Sequence, residues 1–225
     1  IYAVTDQLQE LTGIGIARSE YPMDNTQNMD VFVEVSGLLK AGAVTLMKMA
    51  NDLRLLSSGP AGGIGEFKLP AVQAGSSIMP GKVNPVIPEM AAQCCLKIIA
   101  NDGAITGAAM SGQLELNAFM PLIADSLLES LELMLKTVEL FRRKCIEGIS
   151  INAEVCREHV EKSSALATAL VHHIGYGKAA EIAGTAQREN KTIRRVMQEK
   201  EILPEEVFEK ILDPYQVTRP GIPGK

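Results

Sequence analysis

The residues best suited to chemistry lie in one stretch, Gly75-Ser76-Ser77-Ile78-Met79-Pro80-Gly81-Lys82-Val83-Asn84-Pro85. Two adjacent hydroxyls stand beside a glycine. A lysine and an asparagine follow, just before an apolar, helix-like run. Lys82 offers a compact positive charge and Asn84 an amide donor of adaptable geometry, a pairing that suits a carboxylate. Backbone N–H groups at a helix start add to the pull on an anion. A serine oxyanion stabilised by such surroundings can take a proton as a general base. A Gly-Ser-Ser loop is equally an ordinary connection, and a loop lysine is ordinarily solvated. The residues alone leave both readings open.

The remaining polar residues are sparse. Of the histidines, His159 lies among charges on an expected helix and should face solvent. His172-His173 reads as a structural pair, one ring in and one out, with catalysis as the alternative. Arg194-Arg195 and Glu205-Glu206 read as solvated helix faces. Met47, Met49, Met90 and Met134 read as core fillers. The glycine-rich run Gly59–Gly65 follows a helix and not a strand, which disfavours a dinucleotide fold. No carboxylate cluster has metal-ligand spacing, so neither metal nor cofactor is expected.

The elements that must position the loop are helical. Hydrophobic residues make up 46% of the 225, aromatics only 4%, and tryptophan is absent; an aliphatic, Met- and Ala-rich core suits helix packing. Long helices are expected over about 29–57, from Pro85 or Pro88 onward, and over 121–146. The first is apolar almost all round, as a helix covered on every side would be, with partner subunits as the source of cover. The third shows a stripe of Leu127, Leu131, Met134, Val138, Phe141 and Cys145. Beyond Gly148 the helices become shorter and more charged: about 152–170, 177–189, 191–200 and 204–212, with an irregular tail from Asp213. The expected architecture is all-α. Residues 1–146 form part of a long-helix body and residues 147–225 a small helical domain. The run Ile1–Leu11 reads as the middle of an amphipathic helix without a cap, as if the chain began inside a larger protein. The net charge of −5 and the lack of a basic tract argue against nucleic acid. The four cysteines fit reduced thiols in the cytoplasm, no apolar run is long enough for a membrane span, and no signal peptide is expected.

The loop resembles the signature of the fumarase/aspartase superfamily, G-S-S-x-x-P-x-K-x-N. Ala50-Asn51-Asp52-Leu53-Arg54, Ser58-Gly59-Pro60, Gly63-Ile64-Gly65-Glu66, Asn101-Asp102, Gly112-Gln113-Leu114-Glu115-Leu116-Asn117 and His173-Ile174-Gly175-Tyr176 resemble its flanking segments. The likeness covers nearly the whole chain and corresponds to the C-terminal half of a member. It implies a long-helix homotetramer without cofactor, whose active sites each draw on three subunits and take a small dicarboxylate. By position, it implies that Ser76 is the base for the Cβ proton and that Ser77 donates to the neighbouring carboxylate. Lys82 and Asn84 would hold the other carboxylate, and Glu89 would pair with a histidine from another chain. Gly75, Ile78, Met79, Pro80 and Gly81 complete a loop whose glycines would let it close. The histidine and further donors belong to segments that this sequence lacks, so the isolated chain should be inactive.

Within the superfamily, Asn84-Pro85-Val86-Ile87-Pro88-Glu89 resembles the aspartase branch, as do Asp24-Asn25-Thr26-Gln27-Asn28, Cys145-Ile146-Glu147-Gly148-Ile149 and Asp213-Pro214-Tyr215 with Arg219-Pro220-Gly221-Ile222. That resemblance implies reversible anti elimination of ammonia from L-aspartate to fumarate through an aci-carboxylate. Fumarate hydration is the alternative, and a catalytically silent assembly fragment is a third reading. Two positions depart from the pattern. Ala61 stands where Arg usually follows Ser-Gly-Pro, and Val171 where Asn usually stands two before the His-Ile-Gly-Tyr run.

Overall fold

A computed structural model of the chain describes every residue except Ile1, Pro60, Ala74, Ser76, Ser77 and Lys225, and of Tyr2 the backbone alone. The described residues are all-α apart from the two-residue strands β1 (Phe67–Lys68) and β2 (Ser150–Ile151). Two compact units divide the chain, Ile1–Ser150 and Ile151–Lys225.

The first unit holds α1 (Tyr2–Thr12), α2 (Pro22–Gln27), α3 (Asp30–Leu56), α4 (Val86–Ala109) and α5 (Met120–Lys144). The long helices are charged to suit their dipoles. Asp30 and Arg54 stand in the first and last turns of α3, Glu89 in the first turn of α4, and Arg142, Arg143 and Lys144 in the last turn of α5. α4 packs between α3 and α5. Its core joins Ala43, Leu46, Ala50 and Leu53 of α3 to Ala91, Cys95 and Ile98 of α4 and Phe141 of α5. The alanines bring the helix axes close. A second cluster of Met29, Ile105, Ala108 and Ile123 closes the other end of the bundle.

A polar seam crosses these apolar helices. The buried Asp102 carboxylate accepts from Ser36 Oγ at 2.8 Å and from Lys40 Nζ at 2.6 Å. Asn101 Nδ2 donates to Glu129 Oε2 at 2.8 Å, Ser130 Oγ at 3.1 Å and the Ser126 carbonyl at 3.3 Å. Sliding any of the three helices by a turn would strand these groups without partners, so the seam sets the register. Asn117 performs a similar task at the α4–α5 connection. Its amide donates to the carbonyls of Ala108 and Ala109, both at 3.1 Å, while its Oδ1 accepts from the Phe119 N–H at 2.8 Å. One buried side chain thus ends α4 and starts α5.

The buried line of α5 differs from the expected stripe. Ile123, Ser126, Ser130, Thr137 and Phe141 face inward, while Leu131 and Val138 are exposed. Small hydroxyl residues allow α4 and α5 to close on the polar seam; Leu127, Met134, Phe141 and Cys145 of the expected stripe do face the core, while Leu128, Leu131 and Leu135 are turned outward. On α3, Val31, Val35, Leu38, Val44 and Met49 are likewise exposed in the single chain.

The second unit packs α6 (Ala153–Lys162), α7 (Leu166–Ile174), α8 (Tyr176–Glu189), α9 (Ile193–Lys200), α10 (Glu205–Ile211) and α11 (Pro214–Val217) around Leu170, Ile182, Met197, Phe208 and Leu212. The single helix expected over 152–170 is two, because Ser163 leaves the helical conformation and its Oγ accepts the Ala165 N–H at 3.2 Å. The tail gains a one-turn helix where Asp213 caps Tyr215 N–H at 3.0 Å. Arg194 is not a solvated surface charge. Its guanidinium donates to Glu161 Oε1 at 2.8 Å and the Leu212 carbonyl at 2.9 Å, and it pairs with Glu209. His173 Nε2 lies 2.8 Å from the Pro223 carbonyl and is half-buried, while His172 is exposed, one ring in and one out as expected.

Candidate functional site: the loop before helix α4

The loop runs from Ala71 to Pro85 and is shaped by its own backbone. Met79, Pro80, Gly81 and Lys82 make a tight turn in which Lys82 N–H donates to the Met79 carbonyl at 3.2 Å. Gly81 sits at φ +81° in the third position. Proline in the second place and a left-handed glycine in the third are the requirements of a type II turn. Gly75 then meets the other side of this turn. A Cβ added at Gly75 would overlap the Lys82 carbonyl, so the two strands of the loop touch there as only glycine allows.

Past the turn the chain enters α4 directly. The Asn84 carbonyl accepts from Val86 N–H at 2.9 Å, and the Pro85 carbonyl accepts from Glu89 N–H at 3.1 Å. Pro88 is buried in the first turn, and Asn84 and Glu89 are half-buried. Lys82 is exposed, as are Gly75, Met79, Pro80 and Gly81, and Ile78 is 86% exposed. The sequence-based site thus falls into three described places. Gly75 and Lys82 are brought together by their backbones, Asn84 lies at the entrance to α4, and Glu89 lies within its first turn. Ser76 and Ser77 lie outside the described residues. With the N-terminal end of α4 beside Lys82 and Asn84, this corner concentrates groups that attract an anion.

The preceding segment is held just as closely. Ser58 Oγ donates to the Leu55 carbonyl at 2.6 Å and accepts from Ile64 N–H at 3.1 Å. This folds the Gly59–Gly65 run back onto the end of α3. Ala61 is exposed on that run, and Val171 packs against the core of the second unit, where an apolar residue is at home. The seam partners Ser36 and Lys40 were not singled out from the sequence. Their signal is two polar residues one helical turn apart on α3, with Asn101-Asp102 adjacent on α4.

A family model described as "Lyase" matches residues 2–100, and one described as "Fumarase C C-terminus" matches residues 166–219. An aspartate ammonia-lyase from a Bacillus species is 42% identical over 225 residues, 100% of this chain and 48% of that protein. A fumarate hydratase class II from Pseudomonas aeruginosa is 44% identical over 97% of this chain and 48% of its own length. The crystal structure of a Brucella melitensis fumarate lyase:delta crystallin protein bound to cobalt superposes with a TM-score of 0.90 at 45% identity, over 97% of this chain and 47% of that one. The chain belongs to the fumarase/aspartase superfamily. It spans about half the length of the relatives it matches. Within the superfamily, identity alone does not separate the ammonia-lyases from the hydratases, since both kinds of relative match equally well.

Proposed function

We propose that this chain carries the signature loop of an aspartate ammonia-lyase, which eliminates ammonia reversibly from L-aspartate to give fumarate in the cytoplasm. The observation that carries the reading is the type II turn abutting Gly75, which sets Lys82 and Asn84 at the positive end of α4. The run Val86-Ile87-Pro88 after the loop favours the ammonia-lyase branch.

In this reading Ser76 takes the Cβ proton. The electrons of that C–H bond pass into the adjacent carboxylate, giving an aci-carboxylate dianion. Ser77 donates to this carboxylate, while Lys82 and Asn84 hold the other one. Preorganised donors stabilise developing charge at no reorganisation cost, and they supply the largest share of rate enhancement. Collapse of the dianion forms the C=C bond and breaks the C–N bond, and the nitrogen leaves with its electron pair. Glu89 orients a histidine from another subunit. The exposed apolar residues of α3 and α5 suit burial against further copies in a homotetramer, and the remaining donors come from segments of the relatives that this chain does not span. The isolated chain therefore has no turnover. Fumarate hydration is the second reading, favoured by the 44% identity to a fumarate hydratase.

In the full-length protein, Ser76→Ala lowers turnover by at least about 10²-fold, and Lys82→Ala weakens substrate binding and turnover together. Near-normal kinetics for Ser76→Ala would remove the serine from the role. An unchanged KM in Lys82→Ala would remove the lysine from the carboxylate site.

A further inference from the structure

We propose that Gly148 is a positioning residue for the signature loop, acting through the ring of Pro70; this rests on the reading of that loop as the active-site element. Both stems of the loop come down on the segment that follows α5. Leu69 and Pro70 on one side and Pro85 to Pro88 on the other line a single shallow cleft with Lys144 and Cys145. Phe67, Leu69, Ile87 and Ile149 pack into the same core as the buried Cys145.

Gly148 comes directly against the Pro70 ring. A Cβ built there would lie 2.5 Å from Pro70 Cγ, 3.5 Å from its Cβ and 3.7 Å from its Cδ. The first distance is far inside contact, and a proline ring cannot swing aside as a flexible side chain does. Gly148 cannot retreat either. Its N–H donates to the Cys145 carbonyl at 3.3 Å, Ile149 N–H donates to the Ile146 carbonyl at 3.3 Å, and Glu147 is paired with Arg142. The backbone at Gly148 is outside the left-handed region, so an alanine there is opposed by Pro70 and not by its own φ. The stem at Pro70 must therefore move. Five residues on, Gly75 abuts the Lys82 carbonyl, so a shift of the stem passes to the turn that carries Lys82. Gly148 touches no substrate; its part is to leave room for Pro70.

The test compares Gly148→Ala, Pro70→Ala and the double variant in the intact, full-length protein. Removing the ring deletes Cγ and Cδ and leaves an ordinary 3.5 Å contact. Gly148→Ala is expected to lower kcat/KM about ten- to a hundredfold, through kcat and KM together as for loss of Lys82, the size of effect that misplacing a positioned group produces. The double variant should return to within about threefold of Pro70→Ala, the recovery that marks relief of this one contact. Hydrogen exchange of the amides in residues 71–84 should rise in Gly148→Ala and fall back in the double variant. That readout needs no turnover, so it decides the matter even if the parent uses neither L-aspartate nor L-malate. Wild-type kinetics and loop exchange in Gly148→Ala would overturn the proposal, as would a loss that removing the Pro70 ring does not recover. Should Gly148→Ala fail to accumulate, a folded and active double variant supports the proposal and an equally unfolded one overturns it.

Discussion

Replacing Asp102 with alanine removes the acceptor at the centre of the polar seam, and the structure lets the cost be divided. The Asp102 side chain is 8% exposed, and it accepts from Ser36 at 2.8 Å and from Lys40 at 2.6 Å. Lys40 is 46% exposed, so its ammonium can turn to water, and its pairing contributes no more than about 1 kcal/mol. The Ser36 residue is 3% exposed. Its hydroxyl would be left buried without a partner, at about 1–3 kcal/mol. Together with the small cavity, Asp102→Ala is expected to destabilise the protein by about 2–4 kcal/mol. Asp102→Asn keeps an acceptor for Ser36 and loses only the charge, at about 1 kcal/mol. Ser36→Ala in the Asp102→Ala background removes the orphaned hydroxyl, so the double variant should be less destabilised than the sum of the singles. The assay is urea unfolding of the full-length protein followed by circular dichroism, at one fixed protein concentration because association shifts the midpoint. A cost below about 0.5 kcal/mol for Asp102→Ala, strict additivity with Ser36→Ala, or equal effects of Asn and Ala would each refute the claim that the seam's buried acceptor is what matters.

Three further outcomes are expected. Burial pushes the Cys95 and Cys145 thiols above the ordinary thiol range, with Cys94 adding to the effect at Cys95. Both should resist alkylation in the folded protein and react on unfolding; rapid labelling of either in native buffer would contradict their placement. A raised pKa favours the folded state fully below the unfolded thiol value of about 8.5, and that contribution is lost as pH rises through the folded value. These two groups therefore make the protein less stable toward alkaline pH, as unfolding midpoints across that range would read. Thr192 caps α9 by accepting the Arg195 N–H at 3.2 Å, and Thr192→Ala should cost about 1 kcal/mol in the second unit; a change in activity without one in stability would assign it a different role.

The long helices were legible because their apolar residues recur at helical spacing and Gly or Pro marks their ends. The loop was legible because its residue types are unusual together. What escaped the sequence was which face of a helix points in. On α5 the leucines form the strongest pattern, yet Ser126, Ser130 and Thr137 are buried and Leu131 and Val138 are not. Periodicity finds a face but does not say whether the core or something else covers it. Arg194 escaped for a related reason. Its two carboxylate partners, Glu161 and Glu209, lie 33 and 15 residues away in sequence, beyond the reach of any local pattern. The Pro70–Gly148 contact is longer in range still, and neither residue is unusual on its own.

Fumarate absorbance, followed when the full-length protein meets L-aspartate and, separately, L-malate, separates the ammonia-lyase from the hydratase. Fumarate should form from L-aspartate alone, and Ser76→Ala should abolish it. Fumarate from L-malate alone would contradict the ammonia-lyase reading, and would show that Val86-Ile87-Pro88 does not mark the ammonia-lyase branch.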